Sequence, residues 1–167
     1  IGLNHLKKVV TTPLTNLKVA SHTGCHILSP PEIMNFDDPQ YPKKLDKLIE
    51  VLGAKSLDYP YKTQCCGWTL SNFGERQGAN KLLADKLMAM NHERADFITV
   101  ICPQCLSQFD TGQLLASRSF KLDFKIPVLH YIQVLGLALG YSLEDIGYYK
   151  HRVKSEQFEA KIRSLQT

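Results

Sequence analysis

The sequence predicts a single α/β domain: a small parallel sheet with helices on both faces and a metal site at the C-terminal ends of the strands. Three observations lead there. Short apolar runs alternate along the chain with stretches of helical periodicity, the pattern of βαβ units. The run Phe97-Ile-Thr-Val-Ile101 is apolar without interruption, as suits a parallel strand buried on both faces. The cysteines, finally, follow predicted strand ends, where open parallel sheets keep their ligand crevice.

Taken in order, residues 1–16 read as a helical lead-in, residues 17–149 as the domain proper and residues 150–167 as a C-terminal surface helix or subunit contact. Leu17-Lys-Val-Ala-Ser-His22 is a short strand that delivers Cys25 just past Gly24. A proline-rich loop follows, with Pro30, Pro31, Pro39 and Pro42. Leu45, Leu48, Ile49 and Leu52 then recur at helical spacing, and Gly53 supplies the stop. Ala54 to Leu57 is a weaker strand signal, with Cys65-Cys66-Gly67 in a loop beyond it. The plainest helix lies between about Glu75 and Arg94, where Ala79, Leu83, Leu87 and Met90 form one apolar face. Pro127-Val-Leu129 is the last strand, and the apolar stretch after it is a core helix.

Composition narrows the function classes. The chain has 167 residues, 44% apolar and 22% charged, which is enough for one packed core and argues against disorder. A net charge of +4 spread along the chain is no basic stripe, so nucleic acid is not an expected partner. Val128 to Leu143 carries His130 and Gln133 and is too short to span a bilayer, so direct membrane insertion is not expected. No signal peptide is visible, which favours a reducing, cytoplasmic setting, alone or within a membrane-associated complex. The chain opens on Ile1 rather than Met and reads as a piece of something longer.

The order of the five cysteines carries the chemistry: Cys25, then Cys65-Cys66-Gly67, then Cys102-Pro-Gln-Cys105. Thirty-nine residues separate Cys25 from Cys65, and 35 separate Cys66 from Cys102. An odd count, with one adjacent pair, is a poor disulfide set. Three separated thiol stations instead suit a soft metal centre, an iron–sulfur cluster or zinc. Simpler readings stand beside it: buried free thiols that only pack, a structural zinc site, or a Cys102/Cys105 dithiol of thioredoxin type in which a helix N-terminus activates the first thiol.

This ordered set resembles the CCG cysteine-rich domain, which occurs twice in the B-type subunit of heterodisulfide reductase and in related iron–sulfur oxidoreductase subunits. The resemblance runs from about Leu17 to Tyr131, and the full complement of five cysteines looks most like the C-terminal copy. It implies a non-cubane [4Fe-4S] cluster held by Cys25, Cys65, Cys66, Cys102 and Cys105, with zinc as the alternative metal. It also implies one-electron reduction of a disulfide, coenzyme M joined to coenzyme B or a related one. The N-terminal CCG domain and A- and C-type reductase subunits would be the partners, so this chain is not expected to turn over alone. Gly24 and Gly67 would let backbone approach the cluster without a Cβ, and backbone N–H groups would donate to its sulfurs.

Around the cysteines, His22 and His26 are candidates to donate hydrogen bonds to sulfur or to protonate a thiolate, with a plain strand-end hydrogen bond as the bland reading. Trp68 could shield a cluster from water or simply be a core aromatic. His130 is expected as a satisfied core histidine, and His92 as solvent-facing. There is no paired carboxylate arrangement, Walker loop or dinucleotide fingerprint.

Overall fold

A computed structural model describes residues 2–166, so Ile1 and Thr167, at the ends of the expected terminal segments, lie outside the described residues. Four strands form one sheet in the order β2-β1-β3-β4: β1 (Lys18–His22), β2 (Lys55–Ser56), β3 (Phe97–Val100) and β4 (Val128–His130). Every neighbouring pair is parallel, with Val19 opposite Phe97, His22 opposite Val100 and Val100 opposite His130. All four strands fall where the apolar runs place them.

Period-two alternation in these strands divides the core between the two faces. Val19, Phe97 and Leu129 point to one face, while Ala20, Ile98, Val100 and Val128 point to the other. On the first face pack α1 (Leu3–Val9), α3 (Lys44–Val51), α8 (Tyr131–Ala138) and α9 (Glu156–Leu165). On the second lie α5 (Arg76–His92) and α7 (Gln113–Phe120), whose Leu83, Leu87, Met90 and Ala116 are fully buried. Between β1 and α3 comes the short α2 (Pro31–Met34), before α5 the short α4 (Trp68–Asn72), and after β3 the short α6 (Pro103–Ser107).

The C-terminal segment does more than the sequence suggests. Its stripe of Phe158 and Ile162 is buried, and Phe97 meets the Phe158 ring with centroids 5.2 Å apart. Burying two such side chains contributes about 1.5–3 kcal/mol each. Helix α9 is therefore an amphipathic cover of the sheet, with only its opposite side solvated.

Strand order positions the site. From β1 the chain steps outward to β2 on one side, then returns to β3 on the other. The crevice between β1 and β3, at their C-terminal ends, is the switch point where an open parallel sheet offers room for a ligand. Cys25 lies just beyond β1 and Cys102 just beyond β3.

Candidate metal centre

Cys102 is the residue before α6, and Pro103 opens that helix, so the strand-to-helix turn itself presents the thiol. From Cys105 onward, α6 runs through a π-helical turn, Gln108–Gly112, into α7, and this turn aims the Phe109 ring edge-on at His22. The Cys65-Cys66 pair sits just ahead of α4, where Gly67 at φ +90° turns the chain into the helix. A Cβ at Gly67 would lie 2.7 Å from the Ala79 carbonyl oxygen, so the approach of α5 requires glycine there. Gly24, also at φ +90°, does face the cup: a Cβ there would sit 3.7 Å from Cys102 Cβ and 3.8 Å from Cys105 Sγ.

All five cysteines line one cavity of about 310 Å³, together with Gly24, His26 and Trp68. None is in a disulfide. Cys66 and Cys105 are buried, with their Sγ atoms 3.5 Å apart, while Cys25, Cys65 and Cys102 are half-buried around the mouth. The Gly67 N–H donates to Cys65 Sγ at 3.4 Å, a backbone donor of the kind the resemblance leads one to expect. Cys102 Sγ donates to Gln104 Oε1 at 3.0 Å. His26 is exposed at the rim, and Trp68 is half-buried on one wall.

Three of the thiols, those of Cys25, Cys65 and Cys66, are held above the ordinary thiol range. The hydrogen bond to Cys105, with burial, outweighs the opposing hydrogen bond with Cys65 and pushes the Cys66 thiol up to about 12. Contact with Cys66 and burial raise Cys65 further, and burial and the neighbouring Cys65 raise Cys25. Several protonated thiols crowded in one cavity have a natural resolution: a cation that displaces the protons. The donor set fits a soft, thiophilic metal or an iron–sulfur cluster.

Behind the cup lies a polar layer of which sequence reasoning identified only His22. That residue is 1% exposed, and its Nδ1 lies 3.3 Å from the Lys62 carbonyl oxygen. A carbonyl only accepts, so Nδ1 carries the proton and Nε2 presents a lone pair. His22 is thus no donor to sulfur through Nε2, contrary to one of the roles open to it in the sequence. Burial, aided by the Lys86 charge, lowers its pKa to about 3, so the ring is neutral. Lys86 is fully buried and donates to the carbonyls of Tyr61 and Lys62. Burial lowers its pKa to about 8, while the nearby thiols act the other way. The Lys62 ammonium in turn grips both oxygens of Asp46 at 2.9 Å, and Asp46 also accepts from Ser21 and Ser56. Lys86 carried a legible signal: it stands on the apolar stripe of α5, between Leu83 and Met90. Asp46, on the short α3, carried none.

His130 caps α8, accepting from the Ile132 N–H while its own N–H donates to Gln133 Oε1. His92 is exposed. Among the described residues, no helix is long and apolar enough to cross a membrane.

The model of the cysteine-rich domain family CCG matches residues 19–110. Over 169 aligned residues the chain is 42% identical to a protein of Methanosarcina acetivorans named as the B subunit of a Ferredoxin/F(420)H(2)-dependent CoB-CoM heterodisulfide reductase, covering 99% of this chain and 55% of that one. It is 31% identical, over 87% of its length and 51% of the relative's, to the 8-methylmenaquinol:fumarate reductase membrane anchor subunit of Wolinella succinogenes. The chain spans about half the length of the curated relatives it matches. Among solved structures, a hypothetical protein from Helicobacter pylori superposes with a TM-score of 0.65 at 16% identity, over 93% of this chain and 28% of that one, a likeness of fold alone.

Proposed function

Because the chain belongs to the cysteine-rich CCG domain family, we propose that it is an electron-transfer domain of a protein like the heterodisulfide reductase B subunit. In this reading Cys25, Cys65, Cys66, Cys102 and Cys105 ligate a non-cubane [4Fe-4S] cluster. The observation that carries it is the convergence of five thiols from three distant stations on one cavity at the β1–β3 switch point. The relatives' names add reductase subunits to that convergence.

When bound, the cluster would supply one-electron chemistry to a disulfide. The residues of this chain have separate tasks. The five thiolates hold the centre at a mouth that is half-open, so a substrate sulfur can approach from the Cys25 and Cys102 side. Trp68 and Ile27 line the walls and exclude water. The Gly67 N–H donates to one ligand sulfur and draws charge from it, which favours the reduced state. Lys86 places a positive charge behind the cup in the same sense. The disulfide of coenzyme M and coenzyme B, or a related one, is the proposed substrate. A second CCG domain and other reductase subunits are the proposed partners, and the proposed setting is cytoplasmic.

The test is anaerobic preparation of the chain with iron, acid-labile sulfide and zinc measured on one sample. Iron and sulfide of about four each per chain, lost in Cys66→Ser, are expected. About one zinc with no sulfide, even after anaerobic reconstitution, would sink the redox reading and leave a structural zinc module for docking other subunits.

A further inference from the structure

Trp68 lines not only the cup but also a second concavity, which contains none of the five cysteines. It is a groove of about 690 Å³, within the range that small-molecule ligands occupy. Arg76, at the first position of α5, and Arg118, in the last turn of α7, both line it. No Asp or Glu is among its lining residues, and neither guanidinium is in an ion pair among the described residues.

Exposed arginines are ordinarily solvated, and two of them alone do not make a site. What distinguishes this pair is Gln108. It stands on the π-helical turn, is 5% exposed and lines the same groove. Its side-chain amide makes no hydrogen bond within the fold among the described residues. A buried amide without a protein partner is costly unless a group in the groove supplies one. Gly112 keeps room for it: a Cβ there would come within 2.9 Å of Gln108 Oε1.

The two arginines are held beside one another. Arg76 and Asn80 share one face of α5 at i,i+4 spacing, and Asn80 Nδ2 donates to Ser119 Oγ at 3.5 Å. Ser119 follows Arg118 in α7, so this bond joins the two helices next to both guanidiniums.

We propose that Arg76, Arg118 and the Gln108 amide form an oxyanion site for a small phosphate ester. Two guanidiniums bring two positive charges and forked donors, which match the three oxygens and the charge of roughly −1.5 to −2 on a phosphate monoester. A carboxylate brings less charge and acceptors in a single plane. Trp68 and the exposed Leu115 give the organic part of the ester an apolar wall. The site stands apart from the electron-transfer reading: iron and sulfide content tests that reading, and phosphate binding tests this groove.

The experiment is isothermal titration calorimetry of the anaerobically prepared chain with phenyl phosphate, inorganic phosphate and benzoate. One phenyl phosphate per chain is expected, bound more tightly than either of the others. Arg118→Gln should weaken phenyl phosphate by at least about tenfold. Arg118→Lys should lose part of that affinity, because it keeps the charge without the fork. Arg118 is exposed, so both variants should keep the fold, which circular dichroism checks. Lys150→Gln removes an exposed charge that does not line the groove and should bind as wild type. Absence of phenyl phosphate binding at millimolar concentration overturns the proposal. So does unchanged affinity in Arg118→Gln, an equal loss in Lys150→Gln, or benzoate bound as tightly as phenyl phosphate.

Discussion

Cys66 and Cys105, 39 residues apart in sequence, bring their sulfurs to 3.5 Å at the floor of the cup. Both are nearly sealed from solvent, at 3% and 4% exposure, whereas Cys25, Cys65 and Cys102 stand around the mouth. Depth therefore separates five chemically identical residues into two classes of accessibility.

Alkylation should reveal those classes. With the metal-free, reduced chain at mildly alkaline pH, iodoacetamide should label Cys102 well before Cys66 and Cys105. The deep pair should lag by roughly tenfold or more, because only the thiolate reacts and the Cys66 thiol is pushed up to about 12. Peptide mass spectrometry follows each site. In strong denaturant the rates should converge, and persistence of the lag there would contradict burial as its cause.

Gly67→Ala and Gly24→Ala should fail differently. Both positions have φ +90°, costing an alanine about 1–2 kcal/mol. At Gly67 the new Cβ also meets the Ala79 backbone at 2.7 Å, so urea unfolding should show a loss of about 2 kcal/mol or more. At Gly24 the Cβ finds ordinary contact distances to Cys102 and Cys105, and the loss should stay near the backbone cost. Equal midpoints for the two variants would remove the argument that α5 imposes Gly67.

Asp46→Asn should destabilise the fold by about 3 kcal/mol, since it leaves the Lys62 ammonium buried without its carboxylate. Burial alone would raise the Asp46 pKa, but hydrogen bonds from Ser21, Lys62 and Ser56 outweigh it and hold the carboxyl below its ordinary 3.8. A folded-state pKa below the unfolded one means the contribution is complete above the unfolded value and disappears as pH falls through the folded one. Wild-type and Asp46→Asn melting temperatures should thus differ at pH 6 and converge below the ordinary carboxylate value. A constant gap across that acid range would show that the carboxylate is not the source.

Lys86→Met should weaken metal binding. Lys86 is buried with no carboxylate in salt-bridge range among the described residues, and the thiols of the cup are its electrostatic neighbours. Removing the charge should lower Co²⁺ affinity about tenfold, equivalent to one pKa unit of thiolate stabilisation. Unfolding of the metal-free variant, measured in parallel, separates this from a general loss of fold. Affinity equal to wild type would show that the charge does not reach the sulfurs.

Much of this was legible in the chain. Phe97 to Val100 announces a buried strand because every residue in it must face apolar surroundings, and Ala79, Leu83, Leu87 and Met90 announce a helix because 3.6-residue spacing puts them on one side. The cysteine stations were legible because their positions relative to strand ends are local facts. Gly67 reads in the sequence as room for a cluster, and the fold adds a close neighbour that the sequence does not show, the Ala79 backbone. The chain signals that glycine is needed at a turn, but which backbone comes close depends on how a distant helix packs.

By itself the sequence determined the strands, the helices and the presence of three thiol stations, all set by short-range periodicity and turn chemistry. Only the tertiary structure decided which atoms meet. Strand order β2-β1-β3-β4 puts the end of β1 beside the end of β3, so His22 faces Cys66 and Cys105. The loop after β2 then carries Lys62 under that histidine, with Asp46 and Lys86 reaching it from helices on opposite faces of the sheet. Such contacts join residues 16 to 83 positions apart, and no local pattern encodes a pairing that sheet topology alone creates.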